Sequence, residues 1–244
     1  MPFRHGKATG VYLAGQNCSP YFNSADVGRT VETHDATPFE SEAKQYIAGM
    51  ADGTISLSGF YDSNVAGTGA EELLQGLRDS DAEFPASLFQ DGGVAVGRAC
   101  RMGSVYNTSY NITSPTSDVV SAKADLTVNG GVKYGKCLNA KAPITALVTG
   151  AASDYGTVDW LTSTGGWAHV HPIDNTRSTN TEVKIQQSAD NSVWVDSATV
   201  NVAAGNRTGV RVATTGTNLR YVRALITPVA GTGSATIIVA FARA

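Results

Sequence analysis

The sequence is short of the residues that carry most protein chemistry. Its 244 residues hold four histidines, three cysteines, three methionines and three tryptophans. Cys18, Cys100 and Cys137 lie far apart with no C-x-x-C pair. Such an odd set makes neither a disulfide framework nor a zinc site, and it reads as free thiols in a reducing compartment. No apolar run approaches the ~20 residues of a membrane-spanning helix, and the opening MPFRHGKATG lacks the apolar segment of a secretory leader. The Asn107-Thr108-Ser109 and Asn111-Ile112-Thr113 sequons therefore carry no weight. Charged residues make up 16% and the formal net charge is −3, so the whole molecule has no broad attraction for nucleic acid or membranes. The expectation is a soluble chain made in a cytosol, with no membrane insertion.

Catalytic patterns are equally scarce. There is no G-x-S-x-G elbow and nothing that sets a nucleophile beside a base. Gly92-Gly93 and Gly130-Gly131 do not open a helix after a strand, so neither is a phosphate-binding loop. The carboxylate pairs Asp79/Asp81 and Glu40/Glu42 read as solvated surface. His169 and His171 share one strand face, but two ring ligands alone hold a divalent ion poorly. They read instead as polar residues on an exposed face. The expectation is that the chain is not an enzyme and has no catalytic residue, cofactor or metal.

What is abundant points to β-structure. Hydrophobic residues reach 42% with 26 glycines, and Val, Thr, Ser and Ala dominate over Leu. This suits many short strands joined by tight turns. One segment reads as helix, Thr68–Ser80. Thr68 and Glu71 make a capping box, Leu73, Leu74 and Leu77 form one stripe, and Arg78 suits the last turn. Elsewhere the period is two. Ile55, Leu57 and Tyr61 alternate with Thr54, Ser56 and Ser58, while Val120 to Val128 alternate with Ser121, Lys123, Asp125 and Thr127. Asn129-Gly130-Gly131 predicts a tight hairpin returning through Val132–Leu138, and Met102, Tyr106, Tyr110 and Ile112 are expected on one face.

The small-residue stretch Thr149–Ser153 predicts a boundary. After it come seven candidate strands: Val158–Leu161, Trp167–Ile173, Thr181–Gln187, Val193–Val202, Gly209–Ala213, Leu219–Thr227 and Ala235–Ala242. That spacing predicts a β-sandwich, with the apolar last strand central. Trp160, Trp167 and Trp194 all fall in this half. They are expected mainly as core, Trp160 and Trp194 most clearly, though a sugar-stacking platform uses the same residues. The first half is the acidic one: residues 1–147 carry 11 Lys+Arg against 15 Asp+Glu, and residues 148–244 carry 7 against 6.

The stretch VGRTVETHDATPFESEAKQYIAGMADGTISLSGFYD (27–62), the helix at Ala70–Asp79 and the runs Gly97-Arg98-Ala99, SYNITSP (109–115) and V-N-G-G-V (128–132) follow one another in an order that is similar to the major tail tube proteins of long-tailed, siphovirus-type bacteriophages. The resemblance implies a mainly β fold. A tail-tube β-sandwich with one flanking short helix would occupy residues 1–148, and a second, accessory β-sandwich domain 154–244, folding alone and facing outward. It implies a virion structural protein that assembles in the host cytoplasm as stacked hexameric rings, the conduit for genome ejection. The implied partners are further copies, other tail proteins, and transiently the tape measure protein and genomic DNA in the lumen. Phe39, Tyr46, Ile47 and Met50, in a segment like that family's loop to an adjacent subunit, are the expected inter-subunit contacts. A tail-associated carbohydrate- or receptor-binding module is the alternative reading of the Trp-rich half.

Overall fold

A computed structural model describes residues 6–39, 41–62, 70–79, 81–90, 92–156 and 164–243. After a 3-10 turn at Gly6–Ala8, the first half forms β1 (Gly10–Leu13), β2 (Gln16–Asn17), β3 (Phe22–Asp35), β4 (Tyr46–Phe60), α1 (Ala70–Asp79), β5 (Phe84–Phe89), β6 (Ala99–Thr113) and β7 (Ser121–Asn139). Three short strands follow, β8 (Pro143–Ile144), β9 (Val148–Thr149) and β10 (Ser153–Asp154). The second half forms β11 (Thr164–Asn175), β12 (Thr181–Ser188), β13 (Val195–Val202), β14 (Val210–Thr217), β15 (Tyr221–Pro228) and β16 (Ala235–Arg243). The fold is mainly β, with one α-helix among the described residues.

All strand pairs are antiparallel. The larger sheet runs β14-β11-β16-β7-β6-β5-β1-β2, with the β3–β4 hairpin attached through β4 to β7 and β8 to β16. The smaller runs β10-β15-β12-β13, with β9 on β15. Between the sheets, Ile237, Val239 and Phe241 of β16 meet Val183, Ile185, Val222, Ala224 and Ile226 in one cluster. Burying each such side chain contributes about 1.5–3 kcal/mol. A second cluster fills the first half, where Ile55, Leu57, Ala124, Leu126 and Val128 face Val11, Leu13, Ala86 and Leu88. The sheet must curl for β4 and β7 to share a core with β1 and β5. Bulges in the β6–β7 pairing, at Met102/Ser104 and Asn107/Ser109, lie where that bend is needed.

The helix spans Ala70–Asp79, with Glu71 and Glu72 in its first turn and Arg78 in its last. Leu74 is fully buried, and Leu73 and Leu77 pack against the same cluster. Asn107 Nδ2 donates to the Leu74 carbonyl at 2.7 Å, and the Tyr110 hydroxyl donates to Glu71. Thr68, the expected cap, lies outside the described residues, as do the expected strand Val158–Leu161 and Trp160.

Two local expectations are corrected. Asn129-Gly130-Gly131 is not a hairpin, because Ser121–Asn139 is one strand paired to β6 on both sides of it. The positive φ of Gly130 (76°) and Gly131 (75°) serves a bulge instead. There β7 changes partner, from β4 at Ser121–Thr127 to β16 at Gly135–Asn139. The extra residue in β6 between Asn107 and Ser109 also breaks the phase of that strand. Met102 and Tyr106 therefore share one face and Tyr110 and Ile112 the other; Met102 and Tyr110 are buried in separate clusters, whereas Tyr106 and Ile112 are exposed.

The sheet also crosses the boundary drawn near 148–154. β16 pairs with β7, and its Ile238, Ala240 and Ala242 share a third cluster with Tyr12, Phe89, Cys100, Met102 and Cys137. β16 is central, as its apolar sequence predicts, between β11 and β7. The expectation that 154–244 folds alone thus meets a shared sheet and a shared core.

Candidate assembly surfaces

β3 and β4 pair from Phe22/Gly59 to Asp35/Tyr46, but β4 meets a third strand only over Thr54–Phe60. Beyond Gly53 the two strands form an unsupported arm about 20 Å long, at ~3.4 Å per residue. An isolated two-stranded ribbon is marginal in water. This one exposes apolar groups as well: Phe39 is 111% exposed, Met50 79%, Ile47 62%, Tyr46 57% and Val31 43%. Phe39 lies in the connecting turn, while Tyr46, Ile47 and Met50 lie on β4 itself, within a strand where the resemblance implied a loop. Adjacent strand residues point to opposite faces, so Tyr46 and Ile47 give both faces of the arm an apolar group. Val31 was not singled out, although the alternation along Arg29–His34 carried that signal.

The arm's end is ordered by short-range polar contacts. Asp35 Oδ1 accepts from the Thr37 amide at 3.0 Å and hydroxyl at 2.5 Å, which holds the Asp35 carboxyl below its ordinary pKa. Thr37 Oγ1 accepts from the Gln45 amide at 2.9 Å, and Lys44 sits 3.9 Å from Asp35.

Behind the arm, β3, β4, β7 and β6 form a four-stranded unit with two unlike faces. Its inner face is the core. Its outer face carries Thr54, Ser56, Ser58, Ser121, Lys123, Asp125 and Thr127, with Asp125 at the centre. Asp125 accepts from Ser56 at 2.6 Å and Ser109 at 3.0 Å and meets Lys123 at 3.2 Å, contacts that lower its pKa, Ser56 most. Both lateral edges of this unit are open: β3 has no strand partner besides β4, and residues 106–113 of β6 pair only with β7 among the described residues.

The remaining singled-out residues lie elsewhere. His169 and His171 are buried, at 1% and 0% exposure, which overturns their reading as an exposed polar face. They flank Ser87 of β5, each with a ring nitrogen 3.0 Å from Ser87 Oγ. The Ala86 backbone hydrogen-bonds the His169 ring. Burial pushes both imidazoles down, His171 to about 3. His169 Nδ1 and His171 Nε2 are engaged by the serine, and among the described residues no group of three His, Cys, Asp or Glu could hold a metal.

The tryptophans also depart from expectation. Trp194 is only half-buried, beneath the Arg223 guanidinium at 4.0 Å, and Trp167 lies beneath Arg211 at 3.6 Å. The sandwich core is filled instead by Val, Ile and Ala with Phe241 and Tyr155. Cys18, Cys100 and Cys137 are free and buried, and desolvation pushes the Cys18 and Cys137 thiols up to about 12.

Among the described residues no helix is long and apolar enough to cross a membrane. No family model matches the chain, and no curated protein matches it. Among solved structures, a chain in the virion of a native gene transfer agent particle is similar at 16% identity and TM-score 0.45, over 54% of this chain and 98% of that one. The SPP1 tail tube is similar at 9% identity and TM-score 0.43, over 52% of this chain and 77% of that one. The SPP1 Dit protein, of the hub adsorption apparatus, is similar at 12% identity and TM-score 0.38, over 96% of this chain and 98% of that one. The three are components of a virion, a tail tube and an adsorption hub.

Proposed function

We propose that the chain is a virion structural protein that assembles as stacked six-membered rings into a phage tail tube, the passage for the genome. One observation carries this reading: the β3-β4-β7-β6 unit has two open edges on opposite sides. Its four strands alternate in direction, so β6 of one copy runs opposite to β3 of the next. Repeating an even number of antiparallel strands around an axis closes a barrel and removes both edges. The core-facing side of each unit would turn outward. The Ser/Thr face around Asp125 would turn to the channel, where hydroxyls and a compensated carboxylate give a phosphate polymer little to adhere to.

Electron microscopy of the concentrated, purified protein tests the reading, alone and with other tail components. Rings or tubes with a central channel support it; a chain that stays monomeric in every mixture sinks it. In tubes, duplex DNA should bind weakly, and Asp125→Lys should raise that affinity and make it more salt-dependent.

A further inference from the structure

At the root of the arm lies a groove of about 500 Å³ walled by Arg29, Lys133, Lys136, Arg243, Tyr134 and Tyr155, with no acidic residue in its lining. Its positive charge is poorly matched. Among the described residues neither Arg29 nor Lys133 has a carboxylate partner. Lys136 is held by the Asp154 carbonyl oxygen and lies 5.0 Å from the Tyr155 ring. The Asp154 carboxylate is already gripped by Arg220 at 2.9 and 2.7 Å. Arg243 is only 8% exposed, donates to the Leu219 and Arg220 carbonyls and packs 4.7 Å from the Tyr155 ring, yet its Nε has no hydrogen-bond partner. A buried guanidinium with an unused donor, beside two uncompensated cations and two tyrosine rings, suits an occupant with both carboxylates and an apolar group.

The arm has that chemistry at its far end. Phe39 is fully exposed there, in the same turn as Glu42, with Asp35 and Glu32 along the strand. It cannot fill its own groove, because Arg29 and Ala51 belong both to the arm's root and to the groove, and the tip stands about 20 Å away. We infer that the basic, tyrosine-lined groove receives the acidic, aromatic arm tip of a second copy of this chain, with Phe39 against the rings and Glu42 against Lys133 and Arg29. This docking rests on the assembly reading and adds to it the acceptor site.

A labelled peptide of residues 35–46 tests it directly. The receptor is the full chain carrying Phe39→Ser, Tyr46→Ser and Met50→Ser, so that no arm competes. The peptide should bind, and Arg29→Glu with Lys133→Glu should weaken it by about tenfold or more. A Glu42→Lys peptide should recover part of that loss. A scrambled peptide of equal composition should bind less well than the native one. Failure of the peptide to bind, equal binding by the scrambled peptide, or indifference to the groove substitutions would overturn the inference. So would a groove whose substitutions abolish affinity for duplex DNA while leaving peptide binding intact. Tubes that form while the peptide ignores the groove would refute the acceptor site alone; peptide capture by a chain that never forms tubes would refute the assembly reading alone.

Discussion

His169 and His171 hold the Ser87 hydroxyl between them, each ring nitrogen 3.0 Å from Oγ, and so tie β11 to β5 across the two halves of the chain. The His171 Nδ1 atom is left buried without a partner. A proton added there would find no acceptor in a site closed to water.

Acid should therefore loosen this junction. Both imidazoles titrate below the ordinary value of 6.5, His171 at about 3, so the unfolded chain binds more protons than the folded one throughout that interval. Stability is unaffected above about pH 6.5 and falls as pH drops toward 3, by up to about 1.4 kcal/mol per pH unit for each histidine. Urea unfolding at pH 7 and pH 5 checks this. His171→Gln should lower stability at pH 7 yet flatten its dependence on pH, and an unchanged slope would count against the junction.

Gly135 is a second point of closure. A β-carbon there would lie 2.5 Å from Met102 Sδ and 2.6 Å from the Phe241 carbonyl oxygen. Gly135→Ala should push β16 off β7 and cost about 1–3 kcal/mol. Thermal unfolding reads the effect, and a melting temperature equal to the parent's would contradict the packing.

Cutting the chain after Val148 removes β16, which exposes the edge of β7 at Gly135–Asn139 and opens the cluster around Met102 and Cys137. A soluble, cooperatively folding fragment 1–148 is not expected; aggregation is. Size-exclusion chromatography and circular dichroism of the fragment decide between the shared core and an autonomous first half.

Phe39, Tyr46 and Met50 are exposed and belong to no core cluster, so replacing all three with serine should leave the stability within about 1 kcal/mol of the parent's. Self-association should be lost. Sedimentation velocity separates the outcomes, and an undiminished oligomer would remove these residues from the interface.

Legibility in the sequence followed the physics of burial. The strands of the second half were readable because Val183, Ile185, Val222 and Ile226 alternate against one core. The helix was readable from its Leu stripe, since Leu74 docks as amphipathic spacing demands. The arm's apolar residues stand out in the sequence as a cluster amid charges, and the structure leaves them exposed. The bulge at Gly130-Gly131 was misread as a turn because both features need the same positive φ, and only the partner strand distinguishes them. The burial of His169 and His171 was invisible for a related reason. It depends on Ser87, a residue far away in sequence that alternation alone assigns to no partner. The pairing of β16 with β7 joins residues about a hundred positions apart, and local patterning carries no record of it.

That pairing has a mechanical consequence. One backbone, Ser121–Asn139, is bonded to the β3–β4 hairpin through its first part and to β16 of the second-half sandwich through its last. A sideways tug on the second-half sandwich is delivered along a continuous strand, not across a flexible linker. Peeling β16 away would break its pairs with β7 one after another, whereas sliding it along β7 loads them all at once. The second-half sandwich is a lever rooted in the first half's sheet, and the bulge at Gly130-Gly131 is where that lever can bend.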